Sequence, residues 1–328
     1  MLAMIPHGMG RREERGVGAA MGFRRGEAPQ QDKRRIEGLV AINVAAVIFG
    51  TAGLYGTIDA SPVWIVAVRA VFASLALALF ALARGQWRLP SRDLWRPLLL
   101  SGTILAVHWL SFFASVKLAG VALATVTVVS FPLFSVLIEA GQGRVRPRPS
   151  HVMAGLAIVL AVAMLMGGSG EASASHRALA VAVGLFSAVA FSLFGFSSEA
   201  LNRRMTPAML SVGQNGVVAA LVIPCLLLPV ADPAPTQPRQ WLLLIALGVV
   251  TTATTHQLYF YAMQRLSPVA CGGYMALEPV YTILFAGVLL GEPITPVIAL
   301  CGAMILAASV VLSRRRQVDE VTVLPEPG

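Results

Sequence analysis

Residues 108–122 read HWLSFFASVKLAGVA, and residues 256–270 read HQLYFYAMQRLSPVA. His, Leu, Phe, Ala, Leu, Val and Ala coincide, and Lys117 aligns with Arg265. The likeness extends in both directions. Downstream, after a single gap, Phe131-Pro132 aligns with Glu278-Pro279, and 23 residues beyond each proline stands a glycine, Gly155 or Gly302. Upstream, Ser61-Pro62 leads to Arg69 seven residues on, and Thr206-Pro207 leads to Gln214 at the same spacing. The chain is therefore read as two copies of one unit.

Hydropathy says what that unit is. The chain has 328 residues, 56% hydrophobic and 12% charged, where a soluble domain carries about 25% charged. A soluble core cannot hide that much apolar surface. Apolar runs fall near 38–56, 62–82, 97–116, 120–140, 152–168, 178–200, 207–230, 241–263, 268–290 and 294–313. Each approaches the roughly 20 residues that span a bilayer. The expected fold is an all-α integral membrane protein of ten transmembrane helices. The first repeat covers residues 37–168 and the second 176–313, between a basic tail at 1–36, read as disordered, and a second tail at 314–328. Five spans per repeat make the two repeats insert in opposite senses, the inverted arrangement of secondary transporters.

Charge supports this count. Of 25 Lys and Arg, 21 fall on the side of the N-terminus, 3 (Lys117, Arg177, Arg239) on the other, and Arg69 lies within a span. By the positive-inside rule both termini face the cytosol. The net charge of +9 is thus a topology signal, and nucleic-acid binding is not expected. Trp64 and Trp241 stand at span ends, where indoles anchor. Cys225, Cys271 and Cys301 lie in apolar runs without C-x-x-C spacing, so neither a disulfide framework nor a metal site is expected. Residues 1–36 contain no apolar stretch suited to a cleavable signal peptide.

These features together resemble the EamA branch of the drug/metabolite transporter superfamily. The match rests on the proline-to-Arg69 spacing, on HWLSFFASVKLAG and its echo, on Glu278-Pro279-Val280, and on Leu290-Gly291-Glu292-Pro293-Ile294-Thr295. It covers roughly residues 38–313. The first repeat departs from the second in lacking an acidic residue after its fourth helix, and in having Phe131 where the second has Glu278. The resemblance implies efflux of amino acids, other small metabolites or drugs across a bacterial inner membrane, with no cofactor. The protein is expected as a monomer or homodimer.

Arg69 sits about 10 Å into its span at 1.5 Å per residue. A central arginine costs about 2.5–3.5 kcal/mol on insertion scales, so it must face a partner or a cavity. Either it binds a substrate carboxylate or phosphate, or it pairs with Glu278 and ties the repeats together. Glu278 lies mid-span beside Pro279, which removes a backbone hydrogen bond and frees the Met275 carbonyl. It is read as a proton-exchanging group or a ligand for a substrate amine, against a structural hydrogen-bonded carboxyl. Pro132 is the matching helix break. Tyr274, Glu278 and Tyr281 share a helical face at i, i+4 and i+7 and are expected to line the path, with Gly272-Gly273 as a bend. His108 and His256 are repeat mates, either packing residues or proton carriers. Trp109 either packs or stacks on substrate. Gln214, with Asn215, is expected to make interhelical hydrogen bonds first and substrate contacts second. Glu199 should pair with Arg203, and Glu139 should sit near Arg144 and Arg146. Gly50, Gly53 and Gly56 should permit close helix approach.

An intramembrane enzyme would need a nucleophile–base pair or metal motif such as H-E-x-x-H or G-x-S-x-G, and a pump would need a Walker A loop. The sequence contains none of these. A passive facilitator is the reading closest to a transporter. The topology is checked by a C-terminal alkaline phosphatase fusion, which should be silent. Strong activity would require an odd number of spans and would break the repeat.

Overall fold

The computed structural model describes residues 27–143, 148–167, 173–229, 234–266, 271, 274, 275, 277–292 and 294–322. Gly272-Gly273, Pro293, Arg144 and Arg146 lie outside the described residues. Among the described residues all regular structure is helical. In chain order the helices are α1 (Glu27–Phe49), α2 (Pro62–Ala83), α3 (Trp95–Val128), α4 (Phe131–Gly141), α5 (Pro149–Gly167) and α6 (Ala174–Asn202). There follow α7 (Pro207–Val222), α8 (Pro238–Ala246), α9 (Thr254–Met263), α10 (Glu278–Phe285) and α11 (Pro296–Thr322). A 3₁₀ segment, Ala52–Thr57, extends α1. A π-helical segment, Leu247–Ala253, joins α8 to α9, and a second, Ala286–Leu290, continues α10.

Among the described residues six stretches are long and apolar enough to cross a membrane: Asp32–Thr57, Pro62–Ala83, Arg92–Val128, Ala174–Asn202, Pro207–Leu227 and Pro238–Met263. Four shorter apolar helices accompany them: Phe131–Gly141, Pro149–Met164, Val280–Leu290 and Pro296–Leu312. Helix α1 begins at Glu27, inside the stretch read as a tail, where Gln30, Gln31, Lys33, Arg34 and Arg35 are good helix formers and Pro29 falls in the tolerated first turn. Ser61 and Thr206 cap α2 and α7 by accepting from the Trp64 and Met209 amides, each with proline next in sequence.

The third and fourth apolar runs are not separated by a loop. Helical geometry breaks inside α3 at Ala119 (φ −151°) and Gly120 (φ 85°), dividing it into residues 95–118 and 121–128. The fourth run is itself severed between Val128 and Phe131, where Leu133 N–H donates to Ser130. Pro132 stands in the first turn of the helix that resumes there.

The surface is inverted relative to a soluble protein. Leu79, Leu82, Leu156 and Val288 are exposed, whereas Ser101, Ser115, Thr127, Ser187 and Ser198 are buried. Small residues let helices meet closely and hydroxyls join them. A Cβ on Gly50, Gly53 or Gly56 would come within 2.6–2.8 Å of Tyr281, Val121 or Val116, so the glycine row does pack tightly. Helix α3 lies along α6 and α7, α2 along α7 and the Leu247–Ala253 segment, α1 along α9, and α5 along α11. Trp64 and Trp241 meet edge to face at 5.6 Å. Glu199 pairs with Arg203 as its i, i+4 spacing indicates.

Gln214 is fully buried and donates to Ser101 Oγ at 2.7 Å and Ser198 Oγ at 2.9 Å, tying α7 to α3 and α6. Gln214→Leu strands those hydroxyls at a cost of about 1–3 kcal/mol. The midpoint of thermal unfolding in detergent should fall, and an unchanged midpoint would show that the network adds nothing to stability.

Candidate functional site

A cavity opens where α1, α2, α3 and α6 meet the two interrupted stretches of chain. Its lining includes Arg69, His108, Trp109, Thr125, Phe131 and Glu278, with Phe49, Phe112, Phe191 and Met275 as apolar wall. The lining has the usual balance of a small-molecule site, apolar surface with few polar groups.

Arg69 reaches the cavity because Ser61 and Pro62 start α2 two turns before it. It belongs to the buried stripe Ile65, Arg69, Ala73 and Leu77. Its guanidinium carbon lies 3.7 Å from the centre of the Trp109 ring, a desolvated cation–π contact that stabilises the charge by about 2 kcal/mol. Its Nε–H donates to Thr252 Oγ1 at 3.2 Å. Thr252 is held by the π-helical segment, where its own hydroxyl donates to the Leu247 carbonyl at 2.7 Å. Nη2 of Arg69 is buried without a hydrogen-bond partner among the described residues.

Glu278 lines the same cavity as the first residue of α10, just past Leu277. No ion pair of 4 Å or less joins it to Arg69 among the described residues. The two groups therefore share a cavity without closing on each other. Thr125, in the final turns before the fourth run is severed, is buried with an unpartnered hydroxyl and also lines the space. His108 lies against Ser187, with Nδ1 2.8 Å from the hydroxyl and 3.1 Å from the carbonyl. A carbonyl only accepts, so the contact with the Ser187 carbonyl is a hydrogen bond in the tautomer that carries the proton on Nδ1.

His256 occupies a second, smaller cavity that shares Phe49, Trp109, Phe191 and Met275 with the first. Phe49, Trp109, Phe194 and Phe260 surround its ring at centroid distances of 5.6–6.4 Å. Its Nδ1 has no partner among the described residues. The repeat mates thus differ: one histidine is anchored to a serine, the other boxed by aromatic rings.

Of the residues singled out from sequence, Arg69, His108, Trp109 and Glu278 meet in one cavity, and His256 lies next to it behind Trp109. Gln214 stands in the serine network outside both. Tyr274 packs on the apolar core and Tyr281 lies against Gly50, neither lining the cavity. Met275 rather than Tyr274 lines the cavity from this stretch, and Tyr281, three residues beyond Glu278 on the same helix, turns to Gly50 instead. Thr125, Thr252 and Phe191 escaped the sequence reading. The one available signal was hydroxyl density, Thr251-Thr252 and Thr254-Thr255 inside an apolar run. Among the described residues no group of three His, Cys, Asp or Glu is placed to hold a metal ion.

Comparison with known proteins followed the same division of the chain. Residues 36–167 and 178–314 each match the model of the EamA-like transporter family. A crystal structure described only as that of a protein superposes with a TM-score of 0.63 at 21% identity, covering 85% of this chain and 97% of that one. At that identity the likeness shows the fold alone. No curated protein matches.

Arg69→Lys should leave the protein in the membrane and reduce substrate exchange in proteoliposomes on the order of a hundredfold, because lysine supplies neither the planar stack on Trp109 nor the Nε donor. Normal exchange by Arg69→Lys would show that the guanidinium is not a ligand.

Proposed function

The chain belongs to the EamA-like transporter family, and we propose that it is a secondary transporter that exports small amino-acid-like or drug-like metabolites across the bacterial inner membrane by alternating access. The observation that carries this reading is the cavity that Arg69 and Glu278 both line, where Arg69 Nη2 is buried without a hydrogen-bond partner among the described residues and the two close no ion pair. A zwitterion meets both needs: its carboxylate takes the open donors of Arg69, and its amine takes Glu278. The aromatic wall and the His256 box accommodate an apolar side chain.

Ten spans with both termini in the cytosol fit the six long and four shorter apolar helices and the charge asymmetry. The packing supports inverted repeats. Helix α3 on α6 corresponds to α9 on α1, and α3 on α7 corresponds to the Leu247–Ala253 segment on α2. The pairs α2 on α7 and α5 on α11 each correspond to themselves. The two interrupted runs meet at the cavity, where irregular backbone is tolerated because it is not presented to lipid.

Glu278 is the coupling group in this scheme. Facing outward, it takes a proton from the periplasm. Facing inward, it releases that proton to the cytosol as substrate binds beside Arg69. Glu278→Gln holds the protonated shape permanently. It should exchange substrate across vesicles without a gradient, and it should fail to accumulate substrate against one when a pH gradient is applied. Retained accumulation would remove Glu278 from coupling. Gradient-independent flux in the wild-type protein would favour a passive facilitator.

A further inference from the structure

Glu292 follows the π-helical continuation of α10, in the Leu290-Gly291-Glu292-Pro293 sequence. Its carboxylate reaches across to the other repeat. Oε1 accepts from Val121 N–H at 3.2 Å, and Oε2 accepts from Ala122 N–H at 3.3 Å. Those amides open the helical segment 121–128, immediately after the break at Ala119-Gly120. Helix-initial N–H groups have no intrahelical partner, and the positive end of the dipole favours an anion. Gly120 stands at φ 85°, ψ 169°, a region open essentially to glycine alone. Its position leaves the carboxylate 3.5 Å from where a Cβ would stand.

The contact lies one helical turn from the cavity. Val121 is four residues before Thr125, which lines it. Val121 also packs with Val116, Ala124 and Ala286 in a buried cluster, against which Leu54 and Phe112 rest. Phe112 belongs to the cavity wall as well. This apolar cluster therefore sits between the cavity and the Glu292 contact. It is assembled from the Ala52–Thr57 segment, both parts of α3, and the continuation of α10. The clasp has no counterpart after the fourth run, where the first repeat carries no acidic residue.

We infer that Glu292 is a positioning residue: a carboxylate clasp that holds the severed fourth span against the ninth, keeps the apolar cluster closed over the cavity on the periplasmic side, and must release for that side to open. The inference rests on the alternating-access reading. With the clasp intact, Thr125 and the cavity wall are held in register with Glu278 on the opposing helix. With it released, residues 121–128 are free to tilt away from the ninth span, and Phe112 loses its backing.

The test is the accessibility of a single cysteine in the cavity wall, Val128→Cys, in a protein whose Cys225, Cys271 and Cys301 have been replaced. A membrane-impermeant maleimide is applied to right-side-out and to inside-out vesicles, with Glu292 intact and with Glu292→Ala. Glu292→Ala should raise the labelling rate from the periplasmic face on the order of tenfold, since two charge-assisted hydrogen bonds bias the closed state, and should lower it from the cytosolic face. Glu292→Gln, which keeps one acceptor oxygen, should move both rates the same way by less. Rates equal to the parent overturn the inference. A rise on both faces also overturns it, because that is loosened packing rather than a shifted equilibrium. Failure of the transport reading itself is visible separately, as absence of substrate exchange by the wild-type protein.

Discussion

A guanidinium two turns into a hydrocarbon-spanning helix has no water to solvate it, and much of this structure is arranged around that one charge. Arg69 cannot retreat to an interface from its depth in α2. The fold supplies instead the face of Trp109, one hydroxyl from Thr252, and a cavity. Each has its own structural requirement. Trp109 must lie flat beneath the guanidinium, which places α3 against α2. Thr252 must present its oxygen inward, and the π-helical segment achieves this by shifting the phase of the helix where α8 passes into α9. Gly248 in that segment lets it approach the Arg69 carbonyl, with room for no side chain between them.

Backbone is subject to the same constraint as side chains. An interrupted helix exposes amides and carbonyls that lipid cannot satisfy. Each interruption directly precedes one of the shorter apolar helices, and both come to the cavity. Phe131-Pro132 and Glu278-Pro279 are matching positions in the two repeats, yet one contributes an aromatic ring and the other a carboxyl. The backbone break is common to the repeats and the chemistry is not. A single carboxyl and a single guanidinium line the cavity, which in the proposed scheme would take the two ends of a zwitterion; two carboxyls would repel each other. The N-terminal amides of residues 121–128 are a third demand of the same kind, met by Glu292 from the other repeat.

Burial is spent on small residues and hydroxyls rather than on large apolar side chains. Lipid is as apolar as leucine, so leucine gains nothing by turning inward. Serine and glycine gain a partner or a closer approach. The network of Ser101, Ser197, Ser198 and Gln214 is the clearest case. It lies at the position that matches Arg69 in repeat spacing, and it performs in α7 the joining of helices for which α2 uses an ionic group.

Periodicity and repetition are properties of the chain alone, and they were enough to read a helical membrane protein built from two related halves. Insertion cost depends on residue type and depth, so Arg69 and Glu278 were identifiable as residues in need of partners before any contact was known. His108 followed from the repeat, and Trp109 as its neighbour in sequence. Which partners answered the need was decided by tertiary structure. Thr252 lies 183 residues from Arg69, and nothing local distinguishes it from Thr251 or Thr255 until a π turn fixes its phase. One ideal helix through Glu278 puts Tyr274 and Tyr281 on the path, but packing decides which part of a helical face meets a cavity, and it turned them to the core and to Gly50. Gln214 shared the spacing of Arg69 but found serines instead of a cavity. Glu292 was visible only as an acid after a span. Its role exists only where the other repeat brings two unpaired amides within 3.3 Å, because a hydrogen bond is settled by distance and direction in space, and sequence spacing sets these only within a single unbroken helix.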